Sequence, residues 1–240
     1  MTTAPLTQEL FREDGYLQHC EATVVEHRDD GFVTDQTVFY PVGGGQLGDS
    51  GHLKRADGSE ITISNTLKER DSGAIVHQTD ASALPTIGER ISLQIDWDRR
   101  YRIMRLHSCM HMLCAVVPAA VTGGGIRDDG SARIDFNLPE PPDKLAIEAD
   151  LNRLTQGDHP MSIHWISDEE MEARPELIRT MSVKPPMGHG RVRLIQFDGA
   201  DLQPCGGTHV ANSGEIGPVR IKKIENKGKQ NRRIIVILDE

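Results

Sequence analysis

No apolar run in this 240-residue sequence approaches the roughly 20 residues that a membrane-spanning helix needs; the best, IIVIL at 234–238, has the length of a strand. The N-terminal stretch MTTAPLTQELFRED has no basic segment followed by an apolar one, so no secretory leader is expected. Cysteine is scarce: Cys20, Cys109, Cys114 and Cys205 form neither a CxxC pair nor a dense framework. That usage argues against a disulfide scaffold and predicts reduced thiols in a cytoplasmic protein. The glycines of FYPVGGGQLGDSG (39–51) are not followed by GK[ST], which excludes a Walker phosphate loop. No Glu follows His107, so LHSCMHML is not the HExxH of a metalloprotease and lacks that enzyme's general base. Net positive charge is lacking too. The formal balance is -9, which weighs against a nucleic-acid partner.

What is present is an ordinary globular composition, 37% hydrophobic and 26% charged, long enough for one large domain or two small ones. The basic residues are clustered. RRYRIMR (99–105) has four arginines and no acid, and RIKKIENKGKQNRR (220–233) has seven Lys/Arg against one Glu. Such patches can hold phosphates on an acidic chain, although either one alone reads equally as a solvated face.

Residues 1–95 read as β-rich. EATVVEHR, GFVTDQTVFY, EITISN, AIVHQT and RISLQIDW mix β-branched or aromatic residues with polar ones, between Asp/Gly-rich turns. The spacing predicts a small β-barrel. From 96 to 240 the pattern is α+β. A helix is expected over 98–117, ending before Pro118, and GGGIRDDGS is read as a loop. ARIDFNL, MSIHWIS and RVRLIQF are strands, and PDKLAIEADLNRLTQ is a helix. Ser167 and Glu170 form a capping-box pattern. The last segment is a hairpin turning at NKGKQN. The fold class is therefore α+β, a β-barrel domain (1–95) followed by a domain with antiparallel sheet and helices (96–240).

On the predicted helix, His107 and His111 lie four residues apart and share a face. Such a pair can chelate a metal, or it can be two ordinary helix histidines. In DLQPCGGTHVANSG, Cys205 and His209 add a thiolate and an imidazole, separated by glycines that permit a tight loop. Three imidazoles and a thiolate suit zinc better than magnesium or calcium. The plainer account of Cys205 is a buried cysteine beside a glycine turn.

Three stretches carry a family resemblance. FYPVGGGQLGDSG, DWDRRYRIMRLHSCMHML and CGGTHVANSGEIGPVRIKKIENKGKQNRRI occur in the order found in the AlaX-type alanyl-tRNA editing proteins. These are freestanding relatives of the editing domain of alanyl-tRNA synthetase, and threonyl-tRNA synthetases carry a related domain. The resemblance covers most of the chain. It implies a Zn²⁺ hydrolase that deacylates mischarged tRNA(Ala) in trans, chiefly seryl-tRNA(Ala) and also glycyl-tRNA(Ala), with His107, His111, Cys205 and His209 as metal ligands. It assigns Gly43, Gly44, Gly45 and Gln46 to the approach of the tRNA end. Ser108 stands where the family often has Thr, and its hydroxyl or that of Thr208 is the candidate for reading the serine side chain. A site that hydrogen-bonds a hydroxyl can discriminate by about 10⁴–10⁵ against the analogue lacking it. The plainer role for Ser108 is a bond to its own helix backbone. The chain departs from synthetase editing domains at DDGS, where Asp128 replaces a polar amide. Arg99, Arg100, Lys222, Lys223, Lys227 and Lys229 are the expected tRNA contacts. Such a site needs no membrane and no second subunit, and a monomer suffices. Two other readings stand beside this one: an RNA- or protein-binding module with a structural zinc, and a metal hydrolase of a small-molecule ester.

Overall fold

The computed structural model describes residues 7–79, 84–181 and 190–239. The chain divides into two compact units, Met1–Arg102 and Ile103–Glu240.

In the first unit, β1 (Gln8–Glu9) and β4 (Gln36–Thr37) make a short parallel pair. The rest are β2 (His19–Arg28), β3 (Gly31–Thr34), β5 (Gly51–Lys54), β6 (Glu60–Ile63), β7 (Asn65–Lys68), β8 (Ile75–Gln78) and β9 (Arg90–Ile95). They form one antiparallel sheet in the order β6-β5-β9-β2-β3-β8-β7. The long β2 joins its halves: His19–Thr23 pair with β9, and from Val24 onward, across a bulge between Val24 and Glu26, the strand pairs with β3. The bulge bends β2 and lets one strand serve two ladders. The sheet's edges, β6 and β7, are consecutive in sequence, and no ladder joins them among the described residues. The described strands form a seven-stranded sheet, and the closure that a barrel requires is not seen among them. Alternation puts Val24, Phe32, Leu53, Ile63, Ile91 and Leu93 into its core. Each such side chain contributes about 1.5–3 kcal/mol of burial.

Two polar groups are sealed into this unit. The Arg100 guanidinium is fully buried, paired with Asp49 and donating to the Gly15 and Val38 carbonyls. Asp49 also accepts from the Tyr40 amide. His77 is stacked on Phe32 and bonded to Thr37 Oγ1 at 2.8 Å. Burial pushes its imidazole down to about 4.

Helix α1 (Trp97–Val116) spans the boundary between the units. In the second unit, β10 (Val121–Ile126) and β11 (Ser131–Asn137) form a hairpin closed at Gly130. The loop expected over GGGIRDDGS is therefore half strand. Gly124 and Gly125 pair with Ile134 and Arg133 on the sheet's edge, so cross-strand pairing overrides glycine's weak strand propensity. Helix α2 (Lys144–Thr155) is capped by Asp143, whose carboxylate accepts from the Leu145 and Ala146 amides. Its buried face is Ile147, Leu151 and Leu154, one residue per turn. After α2 come β12 (Met161–Ser167) and the short α3 (Asp168–Glu172), which starts at the Ser167–Glu170 capping box. They are followed by β13 (Arg191–Phe197), β14 (Asp201–Pro204), β15 (Val219–Asn226) and β16 (Asn231–Leu238). Two antiparallel sheets result, β10-β11-β16-β15 and β12-β13-β14. In β15 the register shifts between Ile221 and Lys223, leaving Lys222 as an extra residue.

Candidate metal centre

The second half of α1 places His107 and His111 one turn apart, with ring centroids 5.5 Å from each other. The loop leaving β14 brings Cys205 and His209 to them, and the His209 ring lies 4.4 Å from each helix imidazole. Cys205 Sγ is 3.2 Å from His209 Nε2 and 3.5 Å from His107 Nε2. The ligand atoms of all four residues lie within 4.8 Å of one another. The three histidines are buried and Cys205 is half-buried.

Neighbours fix the direction of the rings. His111 Nδ1 donates to Asp201 Oδ2 at 3.0 Å, leaving Nε2 for the cluster. Gln203 Nε2 donates to the same carboxylate oxygen at 2.8 Å, and Arg179 Nη2 lies 3.4 Å from the other. Ser108 Oγ lies 3.1 Å from His209 Nδ1 and accepts the Val210 amide at 3.2 Å. Arg193 Nη1 donates to the carbonyls of Cys205 and Gly207, both at 2.9 Å, and so holds the loop.

The protonation pattern suits a cation. Burial pushes the thiols of Cys109 and Cys114 up to about 12. Burial acts the same way on Cys205, but the His107 and His209 imidazoles outweigh it and hold the thiol well below its ordinary value. Burial and the charge of His107 push His209 well down, keeping it neutral. Burial lowers His111, yet its bond to Asp201 raises it on balance to about 9. A thiolate and oriented imidazoles at this separation fit a borderline-soft divalent ion such as zinc. Binding one there would displace the His111 proton.

The other expected site residues are distributed as follows. Ser108 is fully buried and its hydroxyl is engaged by His209 and Val210. It bridges the His209 ring and the Val210 amide. Thr208 is buried next to His209. Gly43 and Gln46 exchange backbone hydrogen bonds around Gly44 (φ 59) and Gly45 (φ 80) in the first unit. That is a two-residue turn whose central positions both need positive φ, which is why glycines stand there. Gln46 is buried and Gly44 and Gly45 are exposed. Arg99 is half-buried and donates to the Gly48 carbonyl. The expectation that Arg100 contacts tRNA fails on its burial, because the guanidinium is enclosed with Asp49. Lys222, Lys223, Lys227 and Lys229 are exposed on the β15–β16 hairpin. Lys223 and Lys227 pair with Glu225, and Lys222 lies 3.9 Å from Asp129. Asp128 is exposed in the β10–β11 turn.

Asp201, Gln203 and Arg193 were not foreseen. Asp201 and Gln203 alternate along β14 and Cys205 follows at the same interval just past its end, and that period of two was the available signal for a shared face.

Residues 192–235 match the family described as threonyl and alanyl tRNA synthetase second additional domain, and residues 11–99 match tRNA synthetases class II (A). The alanyl-tRNA editing protein AlaX-M of Methanosarcina acetivorans is 37% identical over 246 residues, covering 97% of this chain and 99% of that protein. AlaX-M of Saccharolobus solfataricus is 33% identical over 233 residues, covering 95% and 98%. The alanine–tRNA ligase of Pyrobaculum aerophilum is 35% identical over 232 residues, which span 92% of this chain and 26% of the ligase. No helix among the described residues is long and apolar enough to cross a membrane.

Proposed function

The chain belongs to the AlaX-M family of alanyl-tRNA editing proteins, and from that premise we propose that it hydrolyses the ester of mischarged tRNA(Ala), chiefly seryl-tRNA(Ala), with zinc in the histidine–cysteine cluster. The single observation that carries this reading is the convergence of four ligand atoms within 4.8 Å in a chain related over nearly its full length to editing proteins. Relatives of equal length bear that name, which supports action in trans, and glycyl-tRNA(Ala) is the second substrate we assign.

His107, His111, Cys205 and His209 would hold the ion, and zinc supplies Lewis acidity toward an ester carbonyl. The chain does the positioning. Asp201 and Ser108 turn two of the imidazoles inward, and Arg193 fixes the loop that bears Cys205. Burial of the histidines keeps bulk water from that side, and the half-buried cysteine marks the side from which an ester would enter. Ser108 and Thr208, both buried beside His209, are the candidates for reading the serine side chain. The exposed lysines of the β15–β16 hairpin would meet phosphates of the acceptor stem despite the net charge of -9.

A second reading has an observation of its own. A full set of four protein ligands is the habit of structural zinc, which predicts a binding module without turnover. Deacylation of seryl-tRNA(Ala) beside alanyl-tRNA(Ala) separates the two. The expected result is loss of serine only, reduced at least ~100-fold in Cys205→Ala, by analogy with removal of a metal ligand's support. Zinc-loaded protein that cleaves neither ester leaves the structural reading standing.

A further inference from the structure

The metal-facing side of the β12-β13-β14 sheet continues past the cluster to an exposed aromatic. Trp165 pairs directly with Arg193 across the β12–β13 ladder, so their side chains share a face. Arg193 is the residue that grips the Cys205–Gly207 loop. On that same face Arg191, exposed at the start of β13, lays its guanidinium 4.3 Å from the centre of the Trp165 ring. Trp165 is 39% exposed, and its indole N–H has no partner among the described residues. The corner is braced: the Gly190 amide, next to Arg191, donates to Asp168 in α3 at 3.0 Å.

A single exposed hydrophobic side chain usually needs no explanation. This one is a flat ring, held by a cation, on the edge strand of the sheet that carries the metal loop. Two strand spacings, about 10 Å, separate its strand from β14, which leads into the Cys205 loop, and that is comparable to the length of one nucleoside. Aromatic rings and guanidinium planes are the surfaces on which unpaired bases stack. Every tRNA ends in an unpaired adenosine whose ribose bears the aminoacyl ester. We infer that Trp165 and Arg191 form the stacking platform for that terminal base, which sets its ribose over the cluster. Base stacking holds any aminoacyl-tRNA end alike, so this corner governs binding of the nucleotide and takes no part in choosing the amino acid. The inference rests on the editing reading above.

The chain has two tryptophans, so Trp97→Phe leaves Trp165 as the only indole emitter. That protein is titrated with an uncharged RNA minihelix ending in unpaired ACCA, and with one lacking the last A. Quenching that requires the last A is expected. In deacylation of a seryl minihelix, Trp165→Ala should raise KM roughly tenfold or more with a smaller change in kcat, and Trp165→Phe should recover most of the loss. Unchanged zinc content and near-UV dichroism certify that the variants fold. Quenching indifferent to the last A, or a KM for Trp165→Ala within twofold of wild type, overturns the platform while wild-type turnover keeps the editing reading alive. Wild type that leaves the seryl ester intact overturns the editing reading, and the quench alone then decides the platform.

Discussion

In the first unit, the buried charges of Arg100 and Asp49 answer each other, and backbone carbonyls and an amide take up further bonds. In the second, the half-buried Cys205 and three buried imidazoles bring their ligand atoms together, and the outer ring nitrogens of His111 and His209 meet Asp201 and Ser108. Both arrangements carry the desolvation cost of buried polar groups. One offsets it inside the protein, and the other is a group of donors that could hold a metal ion. The difference teaches that burial of charge by itself does not mark a site. What marks the candidate site is the convergence of four ligand atoms within 4.8 Å of one another. Arg100 and His107 stand seven residues apart on one helix and fall on opposite sides of this distinction.

Four measurements break or sharpen the contrast. Asp49→Ala strands a buried guanidinium and should cost about 3–5 kcal/mol in urea unfolding, with zinc content unchanged. A midpoint equal to wild type would show that the pair is not needed.

The neutral His77 adds an acid dependence to the same unit. The unfolded chain binds its proton near pH 6.5, the folded chain only near 4. Stability is therefore full above about pH 6.5 and falls by about 3 kcal/mol as the pH drops to 4. His77→Gln should flatten that part of the profile, and parallel profiles would remove His77 as its cause.

In the second unit Asp201→Asn keeps the shape and loses the charge behind His111. Zinc affinity measured against a competing chelator should fall about 10–100-fold. An affinity within twofold of wild type would make Asp201 a bystander.

The smallest effect belongs to the surface. Replacing Lys222 and Lys223 by Gln should lower the salt slope of tRNA binding by about 1 to 2. An unchanged slope removes the hairpin from the interface.

Much of this was legible in residue order. The His107–His111 spacing, the Ser167–Glu170 box and the NKGKQN turn are local, and local rules found them. Cys205 and His209 were legible as a candidate pair only in company with the helix histidines, since a cysteine beside a glycine turn has a plainer account. What escaped depends on partners distant in sequence. Gly124 and Gly125 became strand because β11 lies beside them. Arg100 looked like a phosphate contact within a run of arginines until Asp49, 51 residues earlier, enclosed it. Ser108 was read toward substrate because the neighbouring His209 ring lies 101 residues away in the chain. The barrel was inferred from strand count, and strand count does not say whether the last two edges meet.

The bulge in β15 has a consequence for how this surface can change over generations. Lys222 is the residue that the ladder leaves over, and the strand on either side of it keeps its own alternation. Removing that one codon would restore a regular strand with Val219, Ile221 and Ile224 all still inward. Removing Ile221 instead would leave the later register intact but put Lys222 at the inward position that Ile221 fills. The hairpin therefore holds a spare position at which positive charge can be gained or lost by insertion and deletion, without a matching change in the core beneath it.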